Sequence, residues 1–342
     1  MAIKKTLLED IANQLNVSKT LVSMVINGKG DSYGISKKTQ KLVLEKAQEM
    51  EYTPNVFARA LRTGKSHLIG LLVADISNPF YSNIAKHVEK TLAEKGYNLM
   101  ICSTDEDSHK EESLISLFAE QQFMDGLIIA TTATSGKFFE RDKLQNFPIV
   151  FIDRYLPDIK SNYVVADNYQ GSYELTDLLI HKGCKNILAL NISPSHISSL
   201  SERIKGFKDC LEKHSLPHNN DNIVEISFNN IQNEVRKALV KALNQPKKID
   251  AIYTLNNNLA TACLNVFNEL NFDAEKEGLK FASFDDISLF DFVKPSIISV
   301  SQPIEQIGFE AANLVLKIID DKNTDQKEFQ NIVLPTSIIS RL

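Results

Sequence analysis

Polar side chains that could bind a hydroxyl-rich ligand follow the apolar runs in the long C-terminal part of the chain. Asp75, Asp153 and Asn256 each come directly after such a run. Asp, Asn and Arg offer donors and acceptors for hydroxyl groups, and an aromatic ring offers an apolar face. The same Asp and Asn residues could instead cap the next helix, and both interpretations remain open. The candidate ligand-binding residues are Asp75, Phe80, Tyr81, Asp153, Arg203, Asn256, Asp285 and Gln302.

A second group of polar residues lies near the N-terminus and suits a nucleic acid. Lys19, Thr20 and Ser23 fall in the first turns of a predicted helix, where side chains can reach base edges in the major groove. Ser18, Asn27 and the amide groups at the helix start suit phosphates. Residues 1–65 carry a net charge of +5 and the remainder −10. A basic head on an acidic body indicates a polyanionic partner for the head.

The predicted head consists of short helices joined by tight turns. Thr6 and Glu9 form a predicted capping box at the first helix. Asn16 tolerates the left-handed conformation of a tight corner, and Ser18 is a good N-cap for the second helix. A third helix is predicted from Lys37 to Glu51, capped by Ser36. This pattern predicts a helix-turn-helix, although any short helical hairpin has a similar pattern.

The rest of the chain alternates apolar runs of strand length with helical patterns, and the alternation restarts after Asp167. This predicts an α/β body of two doubly wound parallel-sheet lobes behind a small all-α helix-turn-helix head. Ligands of such sheets bind outside the carboxyl ends of the strands. The predicted boundaries are 1–53 for the head, 54–66 for a hinge helix and linker, and 67–342 for the body. We expect lobe one to span about 67–166 and 298–328, and lobe two about 167–297 and 329–342.

Several classes of protein are disfavoured by the sequence. No apolar run approaches a membrane span, and the first residues lack the apolar stretch of an export signal, so we expect a cytoplasmic protein without a membrane partner. No G-x-S-x-G motif follows an apolar strand, no HExxH motif is present, and the TGKS segment lacks the first glycine of a phosphate-binding loop because position 59 is Arg. His214 and His218 are interpreted as loop residues. We therefore expect no enzyme activity, cofactor or metal, and the scattered cysteines are interpreted as reduced and mostly buried: Cys102, Cys184, Cys210 and Cys263.

The segments LLEDIANQLNVSKTLVSMVIN and YTPNVFARALRTGKSHLIGLLV together resemble the LacI/GalR family of bacterial repressors, and the resemblance covers essentially the whole chain. It implies a body like the periplasmic sugar-binding proteins, in which Asp153, Arg203, Asn256, Asp285 and Gln302 occupy effector positions. It also implies a hinge helix that enters the minor groove, with Leu61 as a wedge between base steps, Ala58 against the groove floor, and flanking arginines. The candidate DNA-binding residues are Thr6, Ser18, Lys19, Thr20, Ser23, Asn27, Asn55, Ala58, Arg59, Leu61 and Arg62.

The resemblance implies a transcription regulator, expected to be a repressor, that binds a near-palindromic double-stranded operator as a homodimer. A small-molecule effector, expected to be a sugar or sugar derivative, would bind between the lobes. Leu21 and Met24 depart from the Thr and Arg that are usual in the family, and Asn257 departs from its common Asp. The alternative function is a sugar-binding receptor without a DNA-directed role. The basic head and the missing export signal count against it.

Overall fold

The computed structural model describes residues 6–52, 64–121, 123–193, 197–217, 222–246, 248–321 and 328–341. The chain divides into two compact units, Met1–Ser66 and His67–Leu342. In the part of the chain that is described, no helix has both the length and the apolar composition that a bilayer span requires.

The N-terminal unit is a small helical domain. Its helices are α1 (Leu8–Leu15), α2 (Lys19–Ile26) and α3 (Lys37–Glu49). Asn16 ends α1 in the left-handed conformation, with φ 50°, as its residue type predicts. One apolar face of each helix meets the others in a core of Ile11, Ala12, Val22, Val25 and Val43.

The start of α1 differs from the prediction, since the expected capping box between Thr6 and Glu9 is wrong. Leu7 is the N-cap residue, and the Asp10 carboxylate accepts a 2.8 Å hydrogen bond from the Leu7 N–H. The Thr6 hydroxyl instead donates to the Met50 carbonyl at 2.8 Å. A long-range contact of Thr6 with the end of α3 therefore replaces the predicted local cap.

The other predicted caps are confirmed. The Ser18 hydroxyl accepts from the Leu21 N–H at 3.1 Å, and the Ser36 hydroxyl accepts from the Thr39 N–H at 3.2 Å. Each satisfies one of the amide groups that lack a partner at a helix start, so both boundaries can be read from the sequence.

The C-terminal unit contains two six-stranded sheets. The first has the order β11-β5-β4-β3-β1-β2, and all its pairs are parallel. Its strands are β1 (Leu68–Val73), β2 (Asn98–Ser103), β3 (Gly126–Ile129), β4 (Ile149–Ile152), β5 (Asn162–Ala166) and β11 (Asn331–Leu334). The α-helices between or after these strands are α4 (Pro79–Ala93), α5 (Ser108–Ile115), α6 (Asp142–Gln145) and α11 (Ile304–Asp320).

The second sheet has the order β12-β10-β9-β8-β6-β7. Its pairs are parallel except that β12 runs antiparallel to β10. Its strands are β6 (Ile187–Ser193), β7 (Ile223–Ser227), β8 (Ala251–Thr254), β9 (Lys280–Phe284), β10 (Ile297–Ser301) and β12 (Ser337–Ile339). The helices before and between them are α7 (Asn168–His181), α8 (Ser198–Lys213), α9 (Ile231–Leu243) and α10 (Asn257–Glu269).

Each lobe is thus a doubly wound α/β unit, as predicted. The C-terminal boundaries of the two lobes, however, differ from the prediction. Residues 298–301 were expected in lobe one, yet β10 pairs with β9 in the second sheet, and the chain crosses back only at Gln302 and Pro303. Residues 331–334 were expected in lobe two, yet β11 extends the first sheet beside β5. Pro335 directly follows β11 and cannot continue its hydrogen bonding, so the chain leaves for the second sheet there.

Candidate DNA-binding surface and ligand cleft

Helix α2 presents the predicted base-reading side chains on its outer face. Lys19 and Thr20 are exposed, and Ser23 is half-buried. The Lys19 ammonium lies 3.7 Å from the Glu9 carboxylate of α1, and both side chains are largely exposed. An exposed pair of this kind contributes little stability, so Lys19 can exchange Glu9 for another partner.

The predicted phosphate-contacting groups are less free than their residue types suggest. The Asn27 side-chain amide donates to the Ser23 carbonyl at 2.6 Å. The hydroxyl proton of Thr6 is used in its bond to Met50. Ser18 uses its oxygen as a cap acceptor and keeps its hydroxyl proton available for a donor role. The remaining predicted DNA contacts, Asn55, Ala58, Arg59, Leu61 and Arg62, lie outside the described residues.

A cleft lies between the two lobes of the C-terminal unit, and the eight predicted ligand-binding residues all line it. Lobe one contributes Asp75, Phe80, Tyr81 and Asp153 from the loops and helix that follow strand ends. Lobe two and the crossing segment contribute Arg203, Asn256, Asp285 and Gln302. The carboxyl ends of strands in both sheets therefore converge on one site, as the fold requires.

A buried charged cluster forms the lobe-two side of the cleft. The Arg203 guanidinium lies 3.9 Å from the Asp285 carboxylate and donates to the Asn168 side chain at 2.8 Å and to the Leu255 carbonyl at 2.7 Å. It also lies 3.8 Å from the centre of the Phe284 ring. These contacts fix the guanidinium plane. Burial raises the pKa of Asp285, while the charge of Arg203 opposes the increase.

Gln302 lies beside this cluster and has an unsatisfied atom. Its amide nitrogen donates to Asp285 at 2.6 Å, whereas its side-chain oxygen Oε1 is buried and has no hydrogen-bond partner among the residues that the structure describes. The side chain is 6% exposed. A buried polar atom of this kind costs stability unless something donates to it.

A second buried cluster forms the lobe-one side. The Asp153 carboxylate accepts from the Tyr81 hydroxyl at 2.8 Å and from Arg154 Nε at 3.2 Å. Arg154 also donates two 2.9 Å bonds to the Glu106 carboxylate. Because the pair is bidentate and Arg154 is 7% exposed, its charge is largely neutralised within the protein. Burial raises the pKa of the Tyr81 hydroxyl, which stays protonated and donates to Asp153.

Two aspartates of the cleft adopt a backbone conformation that side chains rarely take. Asp153 has φ 62° and Asp285 has φ 73°, and each directly follows a strand end. Asp tolerates the left-handed region better than most residues, but the conformation still stores strain. Strained residues cluster at functional sites, and here they lie on both sides of one cleft.

Two predicted residues also have the local role that the sequence left open. Asn256 is the N-cap of α10, with its side-chain oxygen accepting from the Leu259 N–H at 3.0 Å. Asp75 accepts from the backbone and hydroxyl of Ser77, both at 2.8 Å. Both line the cleft as well, so capping and exposure to a ligand are not exclusive.

Hydrogen bonds join the lobes across the cleft. The side-chain amides of Asn78 in lobe one and Asn257 in lobe two exchange bonds of 2.8 and 3.3 Å. The Ser198 hydroxyl accepts from the Tyr155 N–H at 2.9 Å, and the Tyr155 hydroxyl donates to Glu202 at 2.8 Å. We call the Asn78–Asn257 pair the amide clasp. It joins the two lobes along the lining of the cleft.

Sequence reasoning missed Glu106, Arg154, Asn168 and Asn257 as site residues. Arg154 directly follows Asp153, and Glu106 follows β2, so their positions near strand ends were signals. Asn168 and Asn257 form hydrogen bonds with site residues. The Asn168 side chain accepts from Arg203, and the Asn257 N–H donates to Asp285 at 3.2 Å. No sequence pattern reveals such pairing between distant residues.

Two family models together match nearly the whole chain. Residues 7–55 match the bacterial regulatory proteins of the lacI family, and residues 66–341 match the periplasmic binding proteins and sugar-binding domain of the LacI family. The first match covers the helical head and the second covers both lobes.

Similar curated proteins are transcription regulators rather than enzymes. The HTH-type transcriptional regulator DegA of Bacillus subtilis is 32% identical over 340 residues, which is 98% of this chain and 97% of the relative. The ribose operon repressor of Halalkalibacterium halodurans is 30% identical over 336 residues, which is 98% of this chain and 96% of the relative.

Solved structures agree in fold. A ribose operon repressor structure from Burkholderia thailandensis, described as putative, has a TM-score of 0.71 at 25% identity, over 81% of this chain and all of that one. A LacI family regulator from Enterococcus faecium with bound ribose has a TM-score of 0.67 at 26% identity, over 80% of this chain and 97% of that one. The chain belongs to the LacI family of DNA-binding bacterial transcription regulators.

Proposed function

We propose that this protein is a repressor whose operator affinity is controlled by a neutral sugar bound in the cleft. It binds a near-palindromic operator as a homodimer. In this proposal α2 reads the major groove, and the hinge segment around Leu61 enters the minor groove. The DNA-binding assignments rest on the exposed face of α2 and on the family resemblance.

The unsatisfied oxygen of Gln302 is the observation that carries the effector assignment. A sugar hydroxyl could donate to Oε1 while its own oxygen accepts from a neighbouring donor. Asp285 and Arg203 beside it supply an acceptor and a donor of fixed orientation. Such alternation suits vicinal hydroxyls, whereas a purely apolar ligand would leave these groups unpaired.

The balance of charge in the cleft favours a neutral sugar over a phosphorylated one. Four carboxylates line the cleft, against the two guanidinium groups of Arg154 and Arg203. Arg154 is engaged by Glu106 and Asp153, and Arg203 by Asp285 and Asn168. A phosphate would therefore enter a site of net negative charge, in which both guanidinium groups already have partners within the protein.

D-ribose is the first probe to test. One curated relative is named a ribose operon repressor, one solved structure is described as a putative ribose operon repressor, and another solved structure holds ribose. Phe80 offers an aromatic ring that is buried beside the cleft and could cover an apolar face of the sugar.

Calorimetric titration of the full chain with D-ribose, a set of neutral hexoses and ribose 5-phosphate tests the proposal. We expect a neutral sugar to bind and the phosphate to bind at least tenfold more weakly. Gln302→Ala should weaken binding about tenfold, because one buried hydrogen bond is lost. Gln306→Ala, an exposed position on α11, is the matched control. Preferential binding of the phosphate, or equal affinity of Gln302→Ala and the parent, would contradict the assignment.

A further inference from the structure

A cluster of metal-ligating side chains lies on α7 and α8, apart from the residues that line the cleft. It consists of Asp177, Cys210 and His214, and one ligand atom from each lies within 4.8 Å of the others. His214 Nε2 is 2.7 Å from the Asp177 carboxylate. A fourth candidate, His181, places Nδ1 3.2 Å from the same carboxylate, and its ring centre lies 5.8 Å from that of His214.

The sequence spacing explains why these residues meet. Asp177 and His181 are four residues apart at the end of α7, and Cys210 and His214 are four residues apart at the end of α8. Residues with this spacing lie on one face of a helix. Two such pairs on packed helices can therefore surround one point.

Close packing of the helices brings the two faces together. A Cβ atom at Gly206 of α8 would lie 2.3 Å from the Tyr169 carbonyl oxygen of α7, so the backbones touch there. Toward the start of α8, the Ser172 hydroxyl donates to the Arg203 carbonyl at 2.6 Å. Toward the ends of both helices, His214 contacts Asp177.

We infer that Asp177, Cys210 and His214 form a binding site for a zinc-class divalent transition metal ion, with His181 or water as the fourth ligand. Thiolate, imidazole and carboxylate together are typical zinc ligands, whereas magnesium and calcium prefer oxygen alone. Ligand atoms around a tetrahedral zinc ion lie about 3 to 4 Å apart, so only small side-chain rotations separate the observed arrangement from coordination.

Burial across the cluster suits a bound ion. Cys210 is fully buried, while the side chains of His214 and Asp177 are 28% and 34% exposed. The thiol thus forms the floor of a site that solvent can reach from the other side. Coordination releases the thiol proton to solvent and moves the imidazole proton of His214 to Nδ1. The ion would clamp α7 to α8, the helices that carry Asn168 and Arg203 of the cleft.

Cobalt(II) tests the site through its spectrum, using the untagged full chain after reduction of its thiols and removal of metal by a chelator. We expect a thiolate-to-cobalt charge-transfer band and intense visible bands of tetrahedral cobalt, both abolished by zinc. Cys210→Ala should remove the charge-transfer band, and His214→Gln should weaken zinc binding at least about tenfold. Cys263→Ala, which removes another fully buried cysteine, is the matched control and should behave like the parent.

Thermal unfolding separates metal loss from misfolding. Without metal, the variants should melt close to the parent, and zinc should raise the Tm of the parent and of Cys263→Ala more than that of Cys210→Ala or His214→Gln. The inference is overturned if the parent shows no thiolate-to-cobalt band. It is also overturned if natively folded Cys210→Ala and His214→Gln bind zinc as tightly as the parent. Because sugar binding is measured separately, failure here leaves the proposed function intact.

Discussion

The Asp285 carboxylate is buried at 6% exposure beside a guanidinium, an amide and a backbone N–H. Burial raises its pKa, and the more distant charge of Asp153 adds to this, while Arg203 and the Gln302 amide lower it. The folded protein therefore holds a proton on Asp285 more tightly than the unfolded chain does. The stability from this group is complete below its unfolded pKa of about 4 and is lost as pH rises through the higher folded pKa.

Sugar binding should have the opposite pH dependence. A sugar hydroxyl that donates to the ionised carboxylate favours the charged form, so affinity should fall as pH drops through the raised pKa of Asp285. Asp285→Asn should bind sugar more weakly at neutral pH and lose this pH dependence, as measured by calorimetry across a pH series. Asp286→Asn is the matched control. Asp286 pairs with Arg341 outside the cleft, so this variant should keep the pH dependence of the parent. An unchanged pH profile in Asp285→Asn would exclude Asp285 as the titrating contact.

The carboxyl ends of strands are visible in the sequence, so residue types together with the family resemblance could suggest the candidate ligand-binding positions. They could not separate a cap from a ligand contact, because Asn256 is a cap and also lines the cleft. The pairing of Arg154 with Glu106 depends on two loops that are 48 residues apart. That pairing decides how much positive charge an effector meets, so the choice between neutral and phosphorylated sugars needed the structure.

At the scale of elements, the amide clasp links the start of α4 to the start of α10. Asn78 is also the N-cap of α4, with its side-chain oxygen accepting from the Phe80 N–H at 3.0 Å. Asn78→Ser keeps a capping residue but is too short to reach Asn257. The substitution should weaken sugar binding about 30-fold, because a neutral hydrogen bond contributes roughly 1 kcal/mol and two are lost on closure.

A double-mutant cycle distinguishes the clasp from direct contact with the sugar. If the two amides act as a pair, Asn257→Ala should add little to Asn78→Ser in calorimetric titrations. Fully additive losses would show that each side chain contacts the sugar independently.

Helix α2 is the element that we expect to determine operator sequence. Lys19→Ala or Thr20→Ala should change the preferred bases at about 1–3 kcal/mol for each lost contact. Selection from a random duplex library, followed by affinity measurements on matched and mismatched operators, measures this directly. Lys38→Ala on the exposed side of α3 should leave the preference unchanged. Equal weakening on all sequences by Lys19→Ala and Thr20→Ala would mean that these side chains contact only the backbone of DNA.

Element boundaries show where periodicity is sufficient and where it fails. Ser18 and Ser36 mark helix starts because a hydroxyl cap is a local interaction. The lobe assignment of β10 and β11 was wrong because it depends on which sheet a short strand joins. Both strands have apolar runs that suit either sheet, so only pairing with β9 or β5 decides.

At the scale of the whole molecule, one chain carries both a DNA-binding head and a two-lobed ligand-binding domain. A ligand can shift operator affinity only by as much as its affinity differs between the lobe arrangements that bind DNA well or poorly. Couplings of this kind typically change affinity about 5- to 150-fold. The proposed dimeric binding to a near-palindromic site would involve many phosphate contacts, so operator affinity should fall steeply with salt.

The most direct test of the account is the operator affinity of the full chain, measured by fluorescence anisotropy with and without the neutral sugar that binds best. For the parent, we expect saturating sugar to change operator affinity at least fivefold. Gln302→Ala should bind operator like the parent without sugar, and its half-maximal response should require about tenfold more sugar than that of the parent. An operator affinity that no cleft-binding sugar alters would contradict the account, as would a Gln302→Ala variant that responds like the parent.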